Sequence, residues 1–483
     1  MIITIFDPVI SCIKKKDASF IYENMCYEAA FWHNKKGEDG KNIINPHTKK
    51  FVKERRSYKR DLFTEKNENY YYFWTGFVPR IKKAAEVKGI KVETNNLYSP
   101  ESFLLKDPIL NGKNFDFKEP QIRLIKNALR TKRGVIVSPT GTGKTSVIQM
   151  AILSAMPNEK KVVVSHTKDI VLQTAEKLTK AGFDVDIIGA GLGIPEMSNA
   201  NIAVATMPSL AKYLDYENNR TETMSEFKMV IVDESHRVSK MNGTYAQILQ
   251  WVNAPYRFGF TASPKSFDED PEAYLTVEGL LGPVIDEMTF EEGVEEGLIV
   301  RPKISLIRVP YSSSIRDIRN YQEVYQKGII ENNARNGLIV EKAMELERKN
   351  KSVLIFVNQI RHGEIIKGKL DQTMRNSVPF VMGNSNNEVR IKVRNFLEDK
   401  KEKIVICTTV WKEGIDIPTL DNVIYAGGLK SDTATLQSIG RGTRKPKGKE
   451  IVTIYDFFDP SHPFLVNHFG YRITLYMEKG WMT

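Results

Sequence analysis

Two short stretches hold residues whose types and spacing suit phosphate chemistry. The first is Ser138-Pro139-Thr140-Gly141-Thr142-Gly143-Lys144-Thr145, which follows the β-branched run Val135-Ile136-Val137 and opens a helical pattern through Val147, Met150 and Ala151. Glycines in such a turn let backbone N–H groups curl toward an anion. Lys144 can reach the outer phosphates of a nucleotide, and the Thr145 hydroxyl can ligate Mg2+. The strict pattern has Gly where Ser138 stands, so the match rests on Gly143-Lys144-Thr145 and the strand before them. The second stretch, Met229-Val230-Ile231-Val232-Asp233-Glu234-Ser235-His236, is an apolar strand closing on two acids. Asp233 can hold the cation, directly or through water, and Glu234 is placed to polarise a water that attacks a γ-phosphate. Two acids at a strand end can instead cap a helix, but downstream of the glycine loop the nucleotide reading is the stronger.

These residues need a parallel sheet to position them, and the surrounding pattern predicts one. From about Phe115 to Val300, β-branched runs alternate with helical stretches. The strand candidates are Val135–Val137, Val162–Ser165, Ile202–Ala205, Met229–Asp233 and Phe258–Thr261, with a helical window at Asp169–Leu178. A second series follows at Ser352–Val357, Pro379–Met382, Ile404–Thr408, Asn422–Tyr425 and Val452–Tyr455. The acidic stretch Asp286–Leu298 leads into the junction. Only the first series carries a phosphate loop.

The start of the chain differs. It holds the charged run Lys49-Lys50-Phe51-Val52-Lys53-Glu54-Arg55-Arg56 and the aromatic run Tyr70-Tyr71-Tyr72-Phe73-Trp74. A short helix is expected from Ile81 to Lys88, with Pro79 in its first turn and Gly89 as its cap, before a strand-like Ile90-Lys91-Val92. Rings interleaved with Lys and Arg suit a nucleic-acid surface, since bases stack on rings and phosphates pair with cations. The same rings would equally serve as the core of a small α+β module.

Composition sets the outer bounds. At 483 residues, two to four domains are expected. The net charge of +11 points to a polyanionic partner, and Met1 to Pro100 holds 19 Lys+Arg against 12 Asp+Glu, most of that excess. Three cysteines, Cys12, Cys26 and Cys407, exclude a disulfide framework, and none has metal-ligand spacing with a His, so no structural metal is expected. No signal peptide and no apolar run near ~18 residues is found, which predicts a cytosolic chain without a membrane partner.

Asp-Glu-x-His after a phosphate loop resembles superfamily 2 helicases and translocases of the DExH type, whose other motifs occur in order over roughly 115–460. The resemblance implies two tandem RecA-like parallel-sheet domains, at 115–300 and 301–460, after a small α+β nucleic-acid-binding module at 1–110. A C-terminal helix at 461–483 would pack on the second domain. Phe117-Lys118-Glu119-Pro120-Gln121 is similar to the segment in which a Gln reads adenine, so Gln121 joins Thr140, Gly141, Thr142, Gly143, Lys144 and Thr145 as nucleotide-binding residues. Thr167, Gln173 and Thr206 lie in segments that resemble those gripping strand phosphates, each Thr having a cap or turn role as its ordinary alternative. Thr261-Ala262-Ser263 resembles the motif coupling hydrolysis to strand movement.

In the second series, Thr408-Thr409-Val410-Trp411-Lys412-Glu413-Gly414-Ile415-Asp416 resembles the fifth motif. That implies DNA contacts at Thr408 or Thr409 and nucleotide contacts at Gly414 and Asp416. Gln437-Ser438-Ile439-Gly440-Arg441-Gly442-Thr443-Arg444 resembles the sixth. Arg441 and Arg444, permanently charged and forked, can meet a γ-phosphate bidentately, an effect worth about 10³–10⁵ in rate. His236 and Gln437 are implied to link hydrolysis to domain closure, although each could be a packed polar residue.

Phe73-Trp74-Thr75-Gly76-Phe77-Val78-Pro79-Arg80 and Asn467-His468-Phe469-Gly470-Tyr471-Arg472 are similar to phage branch-migration helicases of the UvsW kind. The implied activity is an ATP- and Mg2+-dependent DNA helicase that acts on single-stranded, forked or branched DNA, tracking 3′ to 5′. A duplex translocase that does not unwind and an RNA helicase are the alternatives.

Overall fold

The computed structural model describes residues 1–15, 26–34, 53–61, 63–65, 69–97, 117–139, 141–143, 147–192, 200–215, 226–382, 385, 389, 393, 403–408, 420–429, 452–478 and 481–482. Contacts divide the chain into two compact units, Met1–Ser138 with Thr145–Met288, and Pro139–Lys144 with Thr289–Thr483.

The first unit begins with a five-stranded sheet ordered β5-β6-β2-β1-β7. Its strands are β1 (Ile2–Ile5), β2 (Ile10–Lys14), β5 (Phe63–Glu65), β6 (Tyr70–Trp74) and β7 (Glu93–Asn96), while β3 (Cys26–Asn34) and β4 (Lys53–Asp61) pair separately. Along β6 the alternation of the aromatic run decides its use. Tyr71 and Phe73 are buried in a core with Ile3, Ile13, Phe77, Ile81 and Ala85, while the intervening residues are half exposed. The helix after β6 runs Val78–Val87, starts with Pro79 in its first turn, and is followed by Gly89 at φ +67. The strand expected at Ile90–Val92 starts later, because the Ile90 N–H is taken by Ala85 O and pairing with β1 opens only at Glu93.

This sheet packs directly on the rest of the unit. Leu275, from the helix Pro271–Leu281, belongs to the same core. The approach is close enough to require glycine: a Cβ on Gly76 would lie 2.1 Å from Glu278 O, and one on Gly279 would lie 2.4 Å from the Trp74 ring. Arg80 closes the contact with a bidentate pair to Glu278, Nη2 to Oε2 at 2.6 Å and Nε to Oε1 at 3.0 Å.

The remainder of the unit is a seven-stranded, all-parallel sheet ordered β10-β11-β9-β12-β13-β8-β14. These strands are β8 (Arg133–Val137), β9 (Lys161–Ser165), β10 (Val185–Ile188), β11 (Ile202–Thr206), β12 (Met229–Asp233), β13 (Tyr256–Thr261) and β14 (Val284–Glu287). The central strands are buried along their whole length, as parallel strands covered on both faces must be, and this is why continuous apolar runs revealed them. The two edge strands, β10 and β14, mix acids with apolar residues and left no such run. Arg257, fully buried in β13, donates to Leu249 O, Val252 O and Leu280 O, the carbonyl ends of two helices. Arg133 adds bonds to Leu280 O and to Pro8 O of the N-terminal sheet.

The second unit carries a six-stranded, all-parallel sheet ordered β15-β20-β19-β16-β18-β17. Its strands are β15 (Pro302–Arg308), β16 (Val353–Phe356), β17 (Phe380–Val381), β18 (Ile404–Cys407), β19 (Asn422–Tyr425) and β20 (Val452–Phe458). The helix Pro463–Glu478 packs on it through Ile473 and Tyr476, and buried Arg472 meets Asp456 of β20 at 2.7 Å. Beneath the helix Ile360–Met374, His362 Nε2 lies 2.9 Å from Asn336 Oδ1. Burial, reinforced by the Arg335 charge, pushes the His362 imidazole down to about 3, so it is neutral.

Candidate nucleotide and DNA site

Three parallel strands end together in the first unit. β13 lies between β12 and β8, and the Ser138 N–H just past β8 donates to Thr261 O at the end of β13. Ser138, Asp233 and Thr261 therefore share the carboxyl edge of the sheet, where parallel α/β sheets place ligands. Of the loop that follows, Gly141 and Gly143 stand at φ +92 and φ +89, a backbone that side-chain-bearing residues rarely adopt. Both glycines are therefore demanded by the turn, and Thr142 Oγ1 ties it by donating to Pro139 O at 2.8 Å. Thr140, Lys144 and Thr145 lie outside the described residues.

Asp233 is buried at the tip of β12, where its Oδ1 accepts from Gln149 Nε2 at 3.3 Å. Gln149 did not stand out in the sequence, because nothing in its neighbourhood distinguishes it from a helix residue. A buried carboxylate with a neutral amide on it suits a hard cation, and Mg2+ usually takes only one or two carboxylates and completes its shell with phosphates and water. Glu234 turns the chain into the left-handed region, φ +51 and ψ +52, which costs a non-glycine residue about 1–3 kcal/mol and is held only where the surroundings fix it.

That turn aims Glu234 and His236 at the end of β13. His236 Nδ1 is 3.3 Å from Glu234 Oε2 and 3.0 Å from Thr261 Oγ1. Thr261 Oγ1 also accepts the Ser263 N–H at 3.1 Å. A carboxylate facing Nδ1 favours the tautomer protonated there, so the ring donates from Nδ1. The four residues form one relay running from the candidate water-polarising acid to the Thr261-Ala262-Ser263 turn. A small pocket adjoins it, lined in part by His236, Thr261, Tyr274 and Glu278. The residue that latches the N-terminal sheet thus shares a wall with the relay.

The strand-gripping candidates stand at the same edge. Thr167 Oγ1 accepts the Ile170 N–H at 3.3 Å, capping the helix Lys168–Lys180 that carries half-buried Gln173. Thr206 Oγ1 accepts the Ser209 N–H at 3.3 Å and donates to Ser209 Oγ at 2.9 Å. The ordinary cap role holds for both threonines, yet it does not remove them from an anion site. Ser165 and Thr206 are register partners in β9 and β11, so two helix N-termini open side by side, and such ends attract phosphate. Gln121 is buried, and its Oε1 caps its own helix by accepting the Lys118 N–H at 3.0 Å. In the second unit Thr408 is buried just past β18, its hydroxyl without a hydrogen-bond partner among the described residues. Thr409, Gly414, Asp416, Gln437, Arg441 and Arg444 lie outside the described residues.

A parallel sheet that carries an acid pair and a polar relay at its carboxyl edge, where α/β folds bind their ligands, has the build of an α/β nucleotide-hydrolysing domain. Residues 114–266 match the family profile of the type III restriction enzyme res subunit, and residues 337–446 that of the helicase conserved C-terminal domain. The DNA 3'-5' translocase XPB2 of Sulfurisphaera tokodaii is 26% identical over 414 residues, 77% of this chain and 87% of that protein. The ATP-dependent DNA helicase uvsW of Enterobacteria phage T4 is 24% identical over 348 residues, 68% of this chain and 66% of that protein. Among solved structures, S. cerevisiae Dbp5 bound to RNA and ADP BeF3 has a TM-score of 0.58 at 17% identity, covering 78% of this chain and 93% of that one, which shows a shared RecA-like fold. The chain belongs to the superfamily 2 helicases and translocases, ATP-dependent enzymes that act on DNA. No helix among the described residues is long and apolar enough to cross a membrane.

Proposed function

We propose that the chain is a DNA-stimulated ATPase that tracks 3′ to 5′ along one strand and remodels forked or branched DNA. The observation that carries the reading is the relay from Glu234 through His236 Nδ1 to Thr261 Oγ1, since it joins the proposed hydrolytic acid to a turn on the same sheet edge as the two helix ends offered to strand phosphates. In this reading Glu234 orients the attacking water, Lys144 holds the outer phosphates, and Arg441 and Arg444 stabilise the charge that develops as the phosphoryl group leaves. Mg2+ held by Asp233 and Thr145 would supply neutralisation of the phosphate oxygens. Thr167, Gln173 and Thr206 in one unit and Thr408 or Thr409 in the other hold successive strand phosphates. Gln437 would answer His236 when the units close on ATP, and Gln121, Gly414 and Asp416 complete the nucleotide contacts.

The polarity follows the name of one relative, a DNA 3'-5' translocase, and forked or branched DNA as the substrate follows the likeness of the Phe73–Arg80 and Asn467–Arg472 segments to phage branch-migration helicases. The translocase relative also favours a second reading, a translocase that moves on duplex without separating it. The proposed location is the cytosol, in keeping with the low cysteine content of the chain. Parallel measurement of ATP hydrolysis and strand separation on forked DNA, blunt duplex, single strand and RNA decides between the readings. Separation of the fork supports the helicase, whereas hydrolysis stimulated by blunt duplex with the fork left joined supports the translocase. Stimulation by RNA alone would defeat both.

A further inference from the structure

The sequence singles out Phe73–Arg80, a stretch with no residue in the relay or the phosphate loop. The structure seats it on one helix, Pro271–Leu281. Gly279 of that helix takes the rings of Trp74 and Phe77 so closely that a Cβ there would lie 2.4 Å from one and 2.8 Å from the other. Arg80 lies over the Tyr274 ring, 5.7 Å from its centre, and binds the Glu278 carboxylate through both Nε and Nη2. The same helix also meets the turn that carries His236. A Cβ on Gly259 would lie 2.8 Å from the Ser235 side chain and 2.9 Å from Leu281 Cδ1, so Ser235 and Leu281 close on one point of β13. The Ser235 hydroxyl is buried with no hydrogen-bond partner among the described residues, so packing alone places that side chain.

We propose that Arg80 is a positioning residue for ATP hydrolysis: by keeping the Glu278 charge paired it keeps His236 on Glu234 and Thr261, on the reading of those three residues as one relay. The Glu278 side chain is only 7% exposed and that of Arg80 27%. Removing one partner of such a pair leaves a buried charge in search of another, whereas neutralising both does not. The small pocket that Glu278 lines sets what it would find. His236, Lys265, Tyr274 and the hydroxyls of Ser235 and Thr261 line it too and can answer a bare carboxylate. Three of these five belong to the relay or its turn. A second carboxylate would compete with Glu234 for the imidazole and draw the ring off Thr261. The N-terminal sheet, through Arg80, is thus a working part of the ATPase.

Steady-state ATP hydrolysis by the full chain, with a thymidine oligonucleotide at saturation, tests it. Arg80→Gln should lower kcat about 10-fold with KM for ATP unchanged. Glu278→Gln should retain a kcat near the wild-type value, and adding it to Arg80→Gln should restore the lost rate, because neither chain then holds a bare carboxylate. A latch that serves stability alone leaves the double variant at least as impaired as Arg80→Gln. That result, a wild-type kcat in Arg80→Gln, or a raised KM with kcat unchanged overturns the proposal. Should Arg80→Gln fail to fold, Arg80→Lys takes its place: a point charge pairs less well than the fork, so kcat should fall about 3-fold and be restored by Glu278→Gln. Absence of that restoration is equally fatal. Undiminished hydrolysis in His236→Ala would refute the relay reading itself, whereas an impaired His236→Ala beside an unimpaired Arg80→Gln refutes only the role of Arg80.

Discussion

His236 Nδ1 stands 3.0 Å from Thr261 Oγ1, joining the acid-bearing end of β12 to the turn that ends β13. The contact spans two strands whose register pairs Asp233 with Phe260, so it is fixed by the sheet. His236→Ala and Thr261→Val should therefore leave ATP binding intact and cut DNA-stimulated hydrolysis about 10-fold or more. Together they should cost little more than either alone, because they remove one interaction. Steady-state hydrolysis across DNA concentrations checks this, and fully additive losses would separate the two residues.

Glu234 is assigned the water. Glu234→Gln keeps the shape and removes the charge, and should lower the hydrolysis rate about 10²–10⁴-fold with nucleotide affinity nearly unchanged. Fluorescent-nucleotide titration beside single-turnover hydrolysis separates the two quantities.

Arg257 holds three carbonyls at the ends of two helices from a fully buried position. Burial lowers its guanidinium to about 9, far down for an arginine and still charged at neutral pH. Arg257→Met leaves those carbonyls without their donor and should destabilise the first unit by about 3–5 kcal/mol, read by urea unfolding.

His362 sets an acid limit. Its folded value of about 3 lies below the ordinary 6.5, so the unfolded chain takes up the proton first. Stability should fall as pH drops from 6.5 toward 3, at up to about 1.4 kcal/mol per pH unit from this group. His362→Gln should flatten that part of the profile in chemical unfolding between pH 6.5 and 4.5.

The parts of the fold that the sequence revealed are those where burial demands uninterrupted apolar strands. β12 was legible to the residue, and β8, β9, β11 and β13 to within a few residues. Edge strands β10 and β14 were not, since a strand exposed on one side needs no such run. Asp233, Glu234, His236 and Thr261 were legible because their chemistry requires specific residue types at strand ends. The arginines that hold the frame were not. Arg80, Arg133 and Arg257 find their partners from 5 to 198 residues away, and spacing carries no trace of that. Likewise, the aromatic run at Tyr70–Trp74 divides by alternation into core and surface only once the pairing of β6 with β2 is known.

The central claim is that hydrolysis at the Glu234 site is driven by DNA. Steady-state ATP hydrolysis by the full chain, with and without saturating single-stranded DNA, tests it most directly when run beside Lys144→Ala. The expected result is a rate raised about tenfold or more by DNA and abolished in the variant, in line with the size of effect a positioned phosphate-site group supplies. A wild-type rate that DNA leaves unchanged would contradict it.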